Sequence, residues 1–151
     1  MTPRQLFRTV ALAEAVTWTL LLIGMFLKYV TKTTDLMVTI GGGLHGFVFL
    51  AYIATTLMVS LDQRWTGKQV LMGLASAIPP YVTILFERWA QRRGLLKSKW
   101  RLSGAKPRGG PEKLVTGVLQ SPFMAAAIAI VGLGVLFTVM VSLGPPTEWG
   151  S

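Results

Sequence analysis

Two ionisable side chains, Glu14 and His45, lie inside apolar stretches of the sequence. Glu14 occurs in "VALAEAVTW", and the only histidine of the chain occurs in "GGGLHGFVFLAY". An ionisable group within a bilayer is costly, so it is expected to face a neighbouring helix or water. If the two stretches are adjacent antiparallel spans, the axial offset between the residues is ~8 Å at ~1.5 Å per residue. Leaning side chains, a bridging water or the hydroxyl of Thr17 can close that gap.

This polar pair has two interpretations. The first is an interhelical hydrogen bond that locks the two spans together, a contribution of about 0.6–2 kcal/mol. The second is a proton-binding site, because ionisable groups inside membranes mark proton and ion pathways.

Small residues beside this pair predict close helix packing. Gly42 and Gly46 have the small-xxx-small spacing that lets a second backbone approach closely, next to His45. The last apolar stretch has nothing ionisable, and we predict that it docks through a smooth stripe formed by Ala125, Ala129 and Gly132.

The composition is that of an integral membrane protein. Hydrophobic residues make up 52% of the 151 residues, charged residues 14%, and the mean hydropathy is +0.54. Soluble domains carry about 25% charged residues. With no cysteine and a single histidine, thiolate zinc sites and iron–sulfur clusters are excluded. We therefore predict no metal, no cofactor and no enzyme activity, since no Ser-His-Asp set or carboxylate pair is present.

Four apolar stretches predict an all-α, polytopic fold with four transmembrane helices at about residues 7–27, 36–61, 70–86 and 119–143. The third stretch is short and is interrupted by Pro79 and Pro80. A kinked span and a re-entrant segment both fit, and a kinked span is the expectation because an aromatic and basic end follows it. The predicted organisation is a three-helix membrane domain at 1–90, a basic linker at 91–118, and a fourth span with a short tail at 119–151.

The charges predict orientation. The net charge is +9, and residues 88–113 hold nine cations against one acid. With four spans, eleven Lys and Arg fall on the side of the first and third loops and four on the other. The positive-inside rule then places the third loop in the cytoplasm and both termini outside the plasma membrane. If the third stretch does not span, the N-terminus moves to the cytoplasmic side.

The basic residues of the third loop are expected to contact anionic lipid headgroups or an acidic partner. No nucleic-acid-binding module is recognisable. The cations concerned are Arg88, Arg92, Arg93, Lys97, Lys99 and Arg101.

Four motifs together resemble a family of small, uncharacterised integral membrane proteins common in actinobacteria: "FRTVALAEAVTW", "MFLKY", "GGGLHGFVFLAY" and "SAIPPYVTILFERW". The resemblance covers about residues 7–90 and implies no activity. Phe26 departs from it, because the family pattern has a proline there. The resemblance implies that the characteristic positions are Glu14, Lys28, His45, Gly46 and Pro79.

A shorter segment, "LAEAVTWTLL", is similar to the first helix of the small multidrug resistance transporters, whose glutamate exchanges protons for cationic drugs. Two functions are therefore expected. The first is a non-catalytic accessory subunit of a larger membrane complex, with a respiratory or cell-envelope assembly as a natural host. The alternative is a homodimeric, proton-coupled transporter of a small cation that acts through Glu14.

Overall fold

The computed structural model describes residues 1–143, which form six α-helices and no strand. The predicted all-α class is confirmed. A π-helical turn, Phe26–Val30, extends α1, and a 3-10 turn, Arg101–Ser103, follows α4. The chain divides into two compact units, Met1–Lys106 and Pro107–Ser151. The helices are α1 Pro3–Met25, α2 Leu36–Gln63, α3 Gly67–Ala75, α4 Val82–Arg92, α5 Gly110–Gln120 and α6 Pro122–Leu143.

Sequence signals set the helix starts. At α1 the hydroxyl of Thr2 accepts a hydrogen bond from the backbone of Gln5, whose side chain accepts one from the backbone of Thr2. This capping box satisfies two amides that the helix leaves unpaired. Thr66 and Gln69 form the same arrangement at α3.

Two helices of the described chain are long and apolar enough to cross a bilayer. They are α1 with its π-helical turn, 28 residues, and α2, also 28 residues. Each is ~42 Å long at ~1.5 Å per residue, against a hydrocarbon thickness of ~30 Å. A third span results only if the bent pair α5–α6 is counted as one. Four spans are therefore not confirmed.

Two glycines bring α1 and α2 into backbone contact. A Cβ atom on Gly24 would lie 2.7 Å from the backbone nitrogen of Val38, and one on Gly41 would lie 3.2 Å from the backbone carbonyl of Leu20. No other residue fits these positions without moving a helix, which is the usual reason for glycine at a membrane helix crossing.

The prediction that Gly42 and Gly46 form the packing face is wrong within this unit. A Cβ atom on Gly42 would come no closer than 3.8 Å to a Leu21 side chain, and one on Gly46 would meet nothing within 4 Å. The first glycine of the triplet faces α1, which turns the next two positions away from it. In the second unit Ala129 and Gly132 of α6 are exposed and Ala125 is half-buried.

The third apolar stretch is not one helix. Helices α3 and α4 have nine and eleven residues and are separated by turns that contain Pro79 and Pro80. Tyr81 has a φ of 67° there, in the left-handed region, where a right-handed α-helix cannot continue. The two prolines thus break the helix instead of kinking it.

Helices α3 and α4 form a hairpin that enters and leaves the unit at one end. Trp65, just before α3, donates from its indole to the carbonyl oxygen of Leu95, just after α4, at 3.0 Å. The nine residues of α3 advance ~13 Å, less than half of the ~30 Å hydrocarbon layer. The expected full span is therefore not confirmed: α3 and α4 return the chain to the end of the unit at which α3 begins.

The chain after α4 folds across the end of the unit. We call residues 95–103 the capping segment; Leu96 and Leu102 within it are fully buried. The indole of Trp100 donates to the carbonyl oxygen of Met1 at 2.9 Å, and Nε of Arg4 donates to that of Leu96 at 3.3 Å.

The capping segment bears on two predictions. The predicted linker, 91–118, is divided, because its first part belongs to the first unit, which ends at Lys106. The prediction that the N-terminus and the third loop lie on opposite sides of the membrane is not confirmed: within the first unit, the start of that loop lies against the N-terminus, where Trp100 donates to Met1. The predicted outward tail lies largely beyond residue 143, outside the described residues.

An aromatic cluster fastens the hairpin to the spans. Phe7 of α1 contacts Tyr52 of α2 with ring centroids 5.4 Å apart, and it contacts Trp65 and Phe86 at 5.9 and 6.0 Å. All four rings are buried. Such pairs contribute about 0.5–1.5 kcal/mol each beyond the burial of their area.

Candidate functional site

Glu14 lies in the middle of α1 with 0% of its surface exposed. Its Oε2 accepts a hydrogen bond from the hydroxyl of Thr83, in the first turn of α4, at 3.0 Å. The same hydroxyl lies 3.3 Å from the carbonyl oxygen of Ala11. The second carboxyl oxygen, Oε1, is buried and has no hydrogen-bond partner among the described residues. The tip of the hairpin therefore satisfies one oxygen of this carboxyl group and leaves the other buried without a hydrogen bond.

Trp18 is the aromatic neighbour of this carboxyl group. It lies one turn further along α1, and its indole is close enough to interact with Glu14. Its Nε1 is nevertheless buried without a hydrogen bond of ordinary geometry in the described part of the chain. A buried donor and a buried acceptor thus lie near each other without a formed bond, an arrangement that a small shift or one water would complete.

His45 is half-buried on α2 and contacts α1 through Thr17. Its Nδ1 lies 3.2 Å from the Thr17 hydroxyl, which lies 3.0 Å from the carbonyl oxygen of Glu14. A hydroxyl has one hydrogen, so if Thr17 donates to the carbonyl, the imidazole carries its proton on Nδ1 and donates to Thr17. The imidazole also packs on the Trp18 ring, with centroids 4.5 Å apart.

The side chains of Glu14 and His45 are thus not bonded directly. They are joined through Thr17 and the backbone of Glu14, while the carboxyl group points to the hairpin. The sequence singled out both ionisable residues and the Thr17 hydroxyl, but Thr83 was missed. Its signal was a lone hydroxyl in the apolar run "YVTILF".

A second buried polar cluster, also missed, lies between α2 and α3. The phenol of Tyr52 is 2.9 Å from the hydroxyl of Ser76, which donates to the carbonyl oxygen of Gly73 at 2.6 Å. The hydroxyl of Thr56 is buried without a partner within residues 1–143.

Asp62 holds the capping segment, and nothing in the sequence analysis singled it out. It is 0% exposed, and its two oxygens accept hydrogen bonds from the backbone amides of Arg101 and Leu102 at 3.1 and 2.8 Å. A signal was available, because an acid in the last turn of a helix opposes the helix dipole and therefore suggests a tertiary partner.

The basic residues fall into two groups. Arg101 is half-buried, and its guanidinium donates to the carbonyl oxygens of Asp62 and Leu61 at 2.6 and 3.2 Å. Its guanidinium is thus bound at the end of α2, and its predicted contact with headgroups stays a prediction. The exposed cations of this region are Arg88, Arg92, Arg93, Lys97 and Lys99.

Comparison with known proteins identifies relatives for the first unit. The family described as "Domain of unknown function (DUF3817)" matches residues 4–92. SCO5905 of Streptomyces coelicolor, whose name says only that it is taken to be a membrane protein, is 45% identical over 91 residues. That match covers 60% of this chain but only 11% of the relative. The uncharacterised membrane protein YdzA of Bacillus subtilis is 32% identical over 88 residues, 58% of this chain and 91% of YdzA. No solved structure matches the chain.

Proposed function

This chain belongs to the DUF3817 family, and we propose that it is a non-catalytic accessory module of the plasma membrane that packs against larger membrane proteins. The observation that carries the proposal is the occurrence of the domain in two settings. It makes up nearly all of the Bacillus relative and about a ninth of the Streptomyces one. In one relative the domain is part of a larger chain. A domain of this kind is suited to bind a larger membrane protein non-covalently where the two are separate chains.

Helix α2 offers a face for such an association. Gly43 and Gly46 are three positions apart, and a Cβ atom on either would meet nothing within 4 Å. Internal packing with α1 already uses Gly24 and Gly41, so these two glycines are not required by the described fold. In membranes, small residues on a helix surface allow another helix to approach closely.

The experiment is mild detergent extraction from the native membrane, followed by native mass spectrometry. We expect a membrane protein that stays bound at fixed stoichiometry and is lost in the double variant Gly43→Leu/Gly46→Leu. The control is Ala54→Leu, which adds a bulky residue at another exposed position of α2, about two turns beyond Gly46 and three beyond Gly43. Recovery of this chain alone as a monodisperse species would refute the accessory role.

The orientation proposed for this module follows from the described ends. Ten cations lie at the end that carries the N-terminus and the capping segment, and two lie at the opposite end. Cytoplasmic loops carry an excess of Lys and Arg, so the N-terminal end faces the cytoplasm. The opposite cations are Lys28 and Lys32; the ten are Arg4, Arg8, Arg64, Lys68, Arg88, Arg92, Arg93, Lys97, Lys99 and Arg101.

A second candidate is proton-coupled transport of a small cation by a homodimer, and the unpartnered Oε1 of Glu14 favours it. Irregular backbone at membrane depth is tolerated where protein or a cavity lines it, and the hairpin tip beside Glu14 is such a place. In proteoliposomes, a small cation should drive proton release that Glu14→Gln abolishes and Asp35→Asn, at an exposed acid remote from the hairpin, does not. Absence of substrate-driven release from the wild-type protein would eliminate this candidate.

A further inference from the structure

A pocket of about 190 Å³ lies between α1 and α4 near the cationic end of the first unit. Its volume corresponds to about six water molecules at ~30 Å³ each. Neither Glu14 nor Thr83 lines it, although it shares Ala11 with the Glu14 site. Its lining comprises Arg8, Ala11, Leu12, Ile84, Glu87, Arg88 and Gln91.

The lining changes from polar to apolar along the helices. Arg8 lies five residues after the start of α1, ~8 Å along the axis at ~1.5 Å per residue, and Arg88 lies near the end of α4. Leu12 and Ile84 are each one turn deeper. Headgroups lie at the ends of membrane helices and acyl chains lie deeper, so this gradient matches a lipid better than a water-soluble ligand.

Glu87 is the lining residue whose carboxylate has no cationic partner within the pocket. The side chain is 5% exposed, and its Oε1 accepts a hydrogen bond from the amide of Gln91. Its Oε2 accepts none among residues 1–143, and the carboxylate forms no ion pair there although two arginines line the same pocket. A buried carboxylate without a cationic partner is unfavourable. The pocket thus offers two guanidinium groups for an anion and one carboxylate oxygen for a cation.

We propose that this pocket binds a phospholipid whose headgroup carries both a phosphodiester and a primary ammonium, as in phosphatidylethanolamine. Arg8 and Arg88 bind the phosphate, for which the guanidinium fork is suited. Oε2 of Glu87 accepts a hydrogen bond from the ammonium. The acyl chains follow Leu12 and Ile84 towards the middle of the bilayer. A purely anionic headgroup would leave Glu87 without a cation, and a quaternary ammonium has no hydrogen to donate.

The experiment is native mass spectrometry of the full chain, delipidated and titrated with phosphatidylethanolamine, phosphatidylglycerol or phosphatidylcholine of identical acyl chains. We expect one saturable phosphatidylethanolamine site, with an apparent affinity at least ~tenfold above those of the other two lipids. Glu87→Gln keeps the side-chain volume and is expected to abolish that preference while phosphate-dependent binding persists.

Two arginine variants complete the test. Arg88→Gln should weaken binding of all three lipids, whereas Arg92→Gln, an exposed arginine one turn along the same helix and outside the pocket, should leave binding unchanged. Equal binding of the three lipids, a preference for phosphatidylglycerol, or a phosphatidylethanolamine preference that survives Glu87→Gln would overturn the proposal. If Glu87→Gln does not fold, the wild-type lipid preference and the Arg88→Gln and Arg92→Gln pair decide.

Discussion

Substitution of Asp62 by asparagine should release the capping segment. The carboxylate is fully buried and accepts two backbone amides, those of Arg101 and Leu102. Asparagine keeps one acceptor oxygen and turns an NH₂ group, itself a donor, towards the second amide. Hydrogen bonds to charged groups contribute ~1.5–3 kcal/mol each. Losing one bond and weakening the other should therefore cost about 2–4 kcal/mol of the free energy that keeps the segment closed.

Limited proteolysis measures this opening. A cost of about 2–4 kcal/mol raises the open population ~30- to ~700-fold, since every ~1.4 kcal/mol is tenfold. Trypsin cleavage after Lys97 and Lys99 should accelerate by that factor when opening is fast relative to cleavage. The side chains of both lysines are exposed, so only the anchoring of the backbone protects these bonds.

Asp35→Asn is the matched control for this substitution. Asp35 is exposed at the opposite end of the unit and pairs with Lys28 at 3.8 Å. Surface pairs of this kind contribute little to stability, so cleavage in the capping segment should keep its wild-type rate. Unchanged cleavage in Asp62→Asn would refute the assignment of Asp62 as the anchor. Equal acceleration in both variants would refute it as well.

Three further predictions follow from the first unit. Gly24→Ala should lower the free energy of unfolding by about 1–3 kcal/mol, and with it the melting temperature in calorimetry, because the added methyl group meets the α2 backbone. In the control Gly46→Ala the added methyl group meets nothing within 4 Å, so the melting temperature should stay unchanged. Tyr52→Phe removes a buried hydrogen bond of 2.9 Å to a serine on α3 and should cost ~1 kcal/mol in denaturant unfolding, so an unchanged midpoint would contradict that bond. The chain has no cysteine, so a cysteine introduced at Ser98 should react with an impermeant thiol reagent only from the cytoplasmic side, and one at Thr34 only from the other; the reverse result would invert the proposed orientation.

The spans were predictable because their signals are local. Length and apolarity identify α1 and α2, and Thr2 and Gln5 mark a helix start within four residues. The third stretch could not be resolved in the same way. Pro79 and Pro80 indicate a break, but whether the chain continues across the bilayer or turns back depends on contacts between residues far apart, such as Trp65 and Leu95.

The candidate site was predictable only in part, because it too depends on contacts between residues far apart in the sequence. Glu14 and His45 stand out because ionisable groups are rare in apolar stretches. The partner of Glu14 is Thr83, 69 positions away, and it becomes a neighbour only because the hairpin brings α4 back beside α1. With a full span at that position, the same threonine would face a different part of the bilayer. The expectation of one continuous helix in the third stretch therefore also hid the partner of the carboxyl group.

Helix α4 links the two sites of the first unit. Its first turn carries Thr83, which bonds Glu14 at the hairpin tip, and its last turns carry Glu87 and Arg88, which line the pocket at the cationic end. The helix has eleven residues, ~16 Å at ~1.5 Å per residue, and a single short helix moves as one body. It packs on α1 through Phe86, whose ring lies 6.0 Å from that of Phe7. The hydrogen bond of Glu14 and the lining of the pocket therefore both depend on how this one helix is seated against α1.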